Sequence, residues 1–92
     1  MRSVFVMLKC EMGTAYKVAR SIADEVAETR EVHSISGEYD ILAKFVVEED
    51  SDIGRFVCER VQTLPSIVST FTIVSLNPFS DDHFLTGRVP ET

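Results

Sequence analysis

Two short stretches of the chain carry residue types that could hold a ligand. The first is Ser36-Gly37-Glu38-Tyr39-Asp40, where a glycine turn frees backbone amides, Tyr39 offers an amphipathic ring, and Asp40 offers a carboxylate suited to an ammonium group. The same residues also make an ordinary turn, since Gly and Asp populate turns and Tyr populates strand ends for local reasons. The second is Ser69-Thr70-Phe71-Thr72, in which Thr70 and Thr72 put two hydroxyls on one strand face. Thr is also a good strand residue without any ligand, so residue type alone leaves both readings open.

Catalysis asks for more than this. It needs a nucleophile beside a base, two carboxylates in unlike environments, or a metal cluster, and no motif for any of them stands in the sequence. His33 and His83 have no Cys, His or Glu at ligand spacing, and the four glycines at 13, 37, 54 and 87 are too isolated to form a phosphate loop. No catalytic residue, metal site or cofactor is therefore expected.

Composition narrows the field further. At 92 residues the chain suffices for one compact domain, and 45% hydrophobic content is enough to drive folding. Nine basic against fifteen acidic side chains give a net charge of −6, with the basic residues scattered. Phosphate contacts need clustered Lys and Arg, so direct nucleic-acid binding is not expected. The longest early apolar run, Val4-Phe5-Val6-Met7-Leu8, is far too short for a membrane span or a signal-peptide core, which places the protein in the cytoplasm. Cys10 and Cys58 fit no zinc or redox spacing and read as reduced, partly buried thiols.

The elements that would position the two stretches follow from periodicity. Residues 3 to 9 form an apolar β run, and Thr14 is a plausible N-cap for a helix with Ala15, Val18, Ala19, Ile22, Ala23 and Val26 on one face. A strand over Val32–Ser36 turns at Gly37 into a second one from Tyr39 to Val47. In that strand Ile41, Ala43, Phe45 and Val47 point one way, and Leu42, Lys44 and Val46 the other. The acidic run at 48 to 52 suits a helix start. The helix that follows has Ile53, Phe56, Val57, Val61 and Leu64 on one stripe and stops near Pro65. The last strand, Ile67 to Leu76, alternates Ile67, Ser69, Phe71, Ile73 and Ser75 against Val68, Thr70, Thr72, Val74 and Leu76.

The order β-α-β-β-α-β predicts a ferredoxin-like α+β fold, a four-stranded antiparallel sheet with two helices on one face. Apolar residues on the other face need a partner, and sheet-to-sheet dimerisation would bury them. The tail from residue 78 to 92 has no usable period; it frays or anchors through Phe79 and Phe84 on a neighbour.

Taken in this order, the hairpin from Ser36 to Phe45 and the closing Leu64-Pro65-Ser66-Ile67-Val68-Ser69-Thr70-Phe71-Thr72-Ile73-Val74 resemble the effector-binding (RAM) domain of the Lrp/AsnC, or feast/famine, transcription regulators. The resemblance covers about residues 2 to 77. It implies a homodimer made through the sheets that assembles into an octamer or similar ring, with an amino acid effector bound between dimers and a role in regulating amino acid metabolism. Gly37, Tyr39 and Asp40 match the family's hairpin motif. Ser69, Thr70 and Thr72 match its last-strand hydroxyls, and Asp40 is the residue for the ligand's amino group. Two departures stand out. Family members normally carry an N-terminal helix-turn-helix domain, whereas the first strand here begins next to Met1, so a version without a DNA-binding domain is expected, acting alone or with a full-length Lrp/AsnC regulator. The usual Gly after the Leu-Pro turn is Ser66.

Three rivals share this strand order: a small dimeric α+β barrel enzyme of monooxygenase or isomerase type, an ACT-type amino acid module, and a structural subunit without a ligand. The enzyme would gather His33, Tyr39 or Asp40 in a closed cavity within one subunit. The ACT module tends to carry a Gly-rich turn after its first strand, which is absent here.

Overall fold

The computed structural model describes residues 1–79; the expectations for residues 80 to 92, His83 and Phe84 among them, lie outside the described residues. The chain forms β1 (Arg2–Cys10), α1 (Ala15–Glu25), β2 (Thr29–Ser34), β3 (Ile41–Val47), α2 (Ile53–Phe56, running on as a π-helical turn over Val57–Val61) and β4 (Ile67–Val74). The four strands make one antiparallel sheet in the order β2-β3-β1-β4, the expected ferredoxin-like arrangement.

Alternation along the two central strands decides which face is the core. Val4, Val6 and Leu8 of β1 and Ile41, Ala43 and Phe45 of β3 are wholly buried. They pack with Val18, Ile22 and Val26 from α1 and with Phe56, Val57 and Val61 from α2. Both helices thus cover the same side, and the T-shaped contact of Phe45 with Phe56, 5.3 Å between ring centres, ties α2 to the middle of the sheet.

Several local expectations change. Thr14 precedes α1, but its hydroxyl donates backwards to the Glu11 carbonyl and caps nothing in the helix. Asp52 does cap α2, accepting the Arg55 N–H at 3.1 Å. The second helix is not uniform: the Gln62 N–H reaches the Val57 carbonyl, five residues back, at 2.8 Å. That wider turn keeps Val57 and Val61 on the buried stripe. β2 starts three residues earlier than expected and stops at Ser34. Tyr39 and Asp40 lie in the connecting loop instead of β3. β4 ends at Val74, two residues short of the expected Leu76.

A register shift between Lys9 and Cys10 alters the face of one residue. Lys9 pairs with Ser69, yet Cys10 pairs with Ile67, which leaves Val68 as the extra residue of a bulge. Ile67 consequently packs against the core and does not share the face of Ser69 and Phe71, as strict alternation had it. The bend arises at Ser66, whose φ of 72° is the only positive value at a non-glycine residue among the described residues. Position 66 thus takes a left-handed backbone with a side chain on it. Its carbonyl accepts the Glu11 N–H at 2.9 Å, which fastens the turn to the end of β1.

Candidate functional site

The Gly37 loop joins β2 to β3 at the end of the sheet where β1 finishes and β4 begins. Gly37 has φ of 118°, a conformation that side-chain-bearing residues rarely adopt, and nothing within 4 Å would obstruct a Cβ there. Backbone freedom is what the turn takes from this glycine.

Asp40 is stitched to the sheet by three hydrogen bonds. Its N–H donates to the Leu8 carbonyl at 2.9 Å, its carbonyl accepts the Ile35 N–H at 2.9 Å, and its Oδ2 accepts the Cys10 N–H at 2.8 Å. The carboxylate therefore finishes the hydrogen bonding of β1 where the strand ladder ends, a structural task that its turn setting did not reveal. Oδ1 has no protein partner among the described residues. Burial, with the Asp40 charge beside it, pushes the Cys10 thiol up, so it stays protonated and unreactive at neutral pH. Cys58, expected to be partly buried as well, is exposed on α2: the π-helical turn directs Val57 and Val61 inward and leaves position 58 outside.

Tyr39 reaches across the end of β1 to Phe71 on β4, with ring centres 6.2 Å apart. Lys9, directly across from Ser69, donates from its Nζ to the Glu38 carbonyl at 3.2 Å. Lys9 is the residue that motif reading missed. It closes an apolar strand and reads there as a boundary charge; the pairing of Leu8 with Ile41 on β3 brings the end of β1, and with it the ammonium group, to the loop.

The six expected binding residues fall into two groups. Gly37, Tyr39, Asp40 and Ser69 surround the loop, Ser69 on the open side of the sheet. Thr70 and Thr72 pair with Leu8 and Val6, and so share the helix-covered face. The Thr70 hydroxyl accepts the Gln62 Nε2–H at 2.7 Å, beside a cleft of about 250 Å³ lined by Gln62, Ile67, Val68, Ser69 and Thr70. Ser69 and Thr70 thus share this cleft, which Gly37, Tyr39 and Asp40 do not line. A wider hollow of about 530 Å³ lies between α1 and β2, lined by Tyr16, Arg20, Asp24 and Val32 among others, and contains none of the six. His33 is on β2 and meets Glu31, well apart from Tyr39 and Asp40, so these three do not gather in a closed cavity.

An antiparallel sheet in this order, with helices on one side and, among the described residues, none on the other, defines a ferredoxin-like α+β domain. The comparisons narrow the class. The chain belongs to the Lrp/AsnC ligand binding domain family, whose model matches residues 3–84. It is similar to YugG of Bacillus subtilis, an HTH-type transcriptional regulator, with 40% identity over 76 residues that span 75% of this chain and 43% of that protein. Among solved structures, TTHA0845 from Thermus thermophilus superposes with a TM-score of 0.79 at 21% identity, covering 88% of this chain and all of that one. The transcriptional regulator NMB0573 from Neisseria meningitidis, solved as a complex with L-Met, superposes with a TM-score of 0.73 at 12% identity, over 87% of this chain and 53% of its own. The chain spans about half the length of the curated relatives it matches, all of them HTH-type transcriptional regulators. No helix among the described residues is long and apolar enough to cross a membrane.

Proposed function

We propose that this domain is a cytoplasmic, non-catalytic sensor that binds a small amino acid at the Gly37 loop and passes that event to a transcription regulator through its own assembly. The observation that carries this reading is the loop: Asp40 is held in place through Oδ2 while Oδ1 is open to an ammonium group, and Lys9 stands nearby for a carboxylate. Tyr39 and Ser69 flank the space, and Gly37 shapes the turn. The L-Met complex of the Neisseria regulator supports an amino acid as the ligand class.

The assembly is a homodimer through the open sheet face that builds further into an octamer or similar ring. A full-length Lrp/AsnC regulator is the natural partner for co-assembly. Support for the dimer comes from the open face itself, where Phe71 and Ile73 are 49% and 43% exposed.

The test is a thermal-shift screen of the twenty amino acids, with light scattering to read particle size in each. A ligand that binds only the folded state raises stability by about 2.7 kcal/mol at a hundredfold excess over its Kd. The expected outcome is a selective rise in Tm with a change in size. Asp40→Asn keeps an oxygen for the Cys10 N–H and removes the charge; it is expected to melt like the wild type without ligand and to lose the ligand-induced rise. No rise with any amino acid would overturn the reading.

A further inference from the structure

The open face is apolar through Met7, Leu42 and Phe71, carries Lys9, Ser69 and His33 towards its margins, and holds a pair of opposite charges along one row. Across the sheet that row runs Glu31 on β2, Lys44 on β3, Phe5 on β1 and Ile73 on β4, each directly across from the next. Lys44 is unusual for a lysine on an uncovered face, with only 21% of its side chain exposed. Its Nζ lies 3.8 Å from Glu31 Oε2 and 5.9 Å from the centre of the Phe5 ring. The other Glu31 oxygen is 2.9 Å from His33 Nε2. Glu31 is therefore met by Lys44 from β3 and His33 from its own strand.

We infer that Glu31 is the residue that allows a second copy of this chain to cover the open face, by carrying a counter-charge into the interface with Lys44. This rests on the sheet-face dimer proposed above and adds the residue on which that dimer depends. An ammonium group taken out of water with no partner is strongly destabilising, whereas one that brings its carboxylate along is tolerated. The occupant follows from the same charges. In a two-fold contact each patch meets its own copy, so a patch holding Lys44 alone would bring like charges into one interface. A patch holding an acid and a base at adjacent positions is self-complementary, which suits a second copy better than a partner of single-sign charge.

Four versions of the full chain decide the matter: wild type, Glu31→Gln, Lys44→Met and the double variant, each followed by sedimentation across a dilution series. Thermal melts read the fold of each separately. Glu31→Gln is expected to raise the dimer Kd about tenfold or more, because it leaves Lys44 uncompensated. Lys44→Met is expected to weaken the dimer less than Glu31→Gln does, because the Glu31 left behind is half-exposed and keeps His33 beside it, and the double variant to return to within about threefold of wild type, since replacing both members of a pair by uncharged groups is close to neutral. Wild-type affinity in Glu31→Gln overturns the inference, as does weakening that Lys44→Met fails to rescue. A wild type that stays monomeric at every concentration overturns the sheet-face dimer itself, a failure distinct from the other two.

Discussion

The two faces of the sheet are built from the same strands and differ little in the apolar character of their central side chains, yet only one is finished. On β1, Val4, Val6 and Leu8 are wholly enclosed by helices, while Phe5 and Met7, one residue out of phase, are only half-buried. On β4, Phe71 and Ile73 are 49% and 43% exposed. Hydrophobicity does not separate the two faces. What separates them is that the described residues supply a cover for one and none for the other, which the proposed dimer would cover.

Substitution sharpens that contrast. Phe45→Ala on the covered face is expected to cost about 3–5 kcal/mol of folding stability in a denaturant melt, since it empties the contact with Phe56. Phe71→Lys on the open face is expected to change monomer stability by no more than about 0.5 kcal/mol, measured at a dilution where the chain is monomeric. The same change is expected to abolish the dimer in a sedimentation run. Equal folding costs at the two sites would break the distinction between a core and an interface.

A smaller effect tests the turn that delivers β4 to both faces. Ser66 carries a left-handed backbone that glycine adopts freely, so Ser66→Gly is expected to raise stability by about 0.5–1 kcal/mol, equally in monomer and dimer. A change in dimer affinity would mean that the turn acts on the open face and not on the fold. The smallest effect concerns acid. A hydrogen bond with His33, helped by the Lys44 charge, holds the Glu31 carboxyl below the ordinary carboxylate range. A depressed folded-state pKa contributes stability that is complete above the unfolded value of about 4.3 and is lost as pH falls through the folded one. Loosening of the dimer in acid is therefore expected only below that range, and Glu31→Gln should remove this pH dependence.

Much of this architecture is legible in the sequence, for identifiable reasons. The core faces of α1, β1 and β3 follow from simple periods, and Gly37 marks its own turn. The rest depends on contacts that no local pattern carries. The bulge that swings Ile67 to the core arises where β4 meets β1, at Lys9 and Cys10, nearly sixty residues earlier in the chain. The π-helical turn in α2 answers to the sheet it packs on. Of the six expected binding residues, chemical type was visible in each; placing Thr70 and Thr72 on the helix side needed their pairing with Leu8 and Val6, and Lys9 needed the register of β1 with β3.

The placement of β1 at the centre of the sheet bears on how the chain folds. β1 is made before the other strands, and its neighbours arrive late: Val4 pairs with Phe45 on one side and with Val74 on the other. Such long-range closure has to be met before any strand pairing rewards it, which slows folding relative to a helical domain of equal size. Until then Val4-Phe5-Val6-Met7-Leu8 is an uncharged β-forming run with both edges bare, the kind of segment that aggregates. Its nearest protection is the pair of charges that bracket it, Arg2 and Lys9, and the second of these is the same lysine that the finished fold brings to the Gly37 loop.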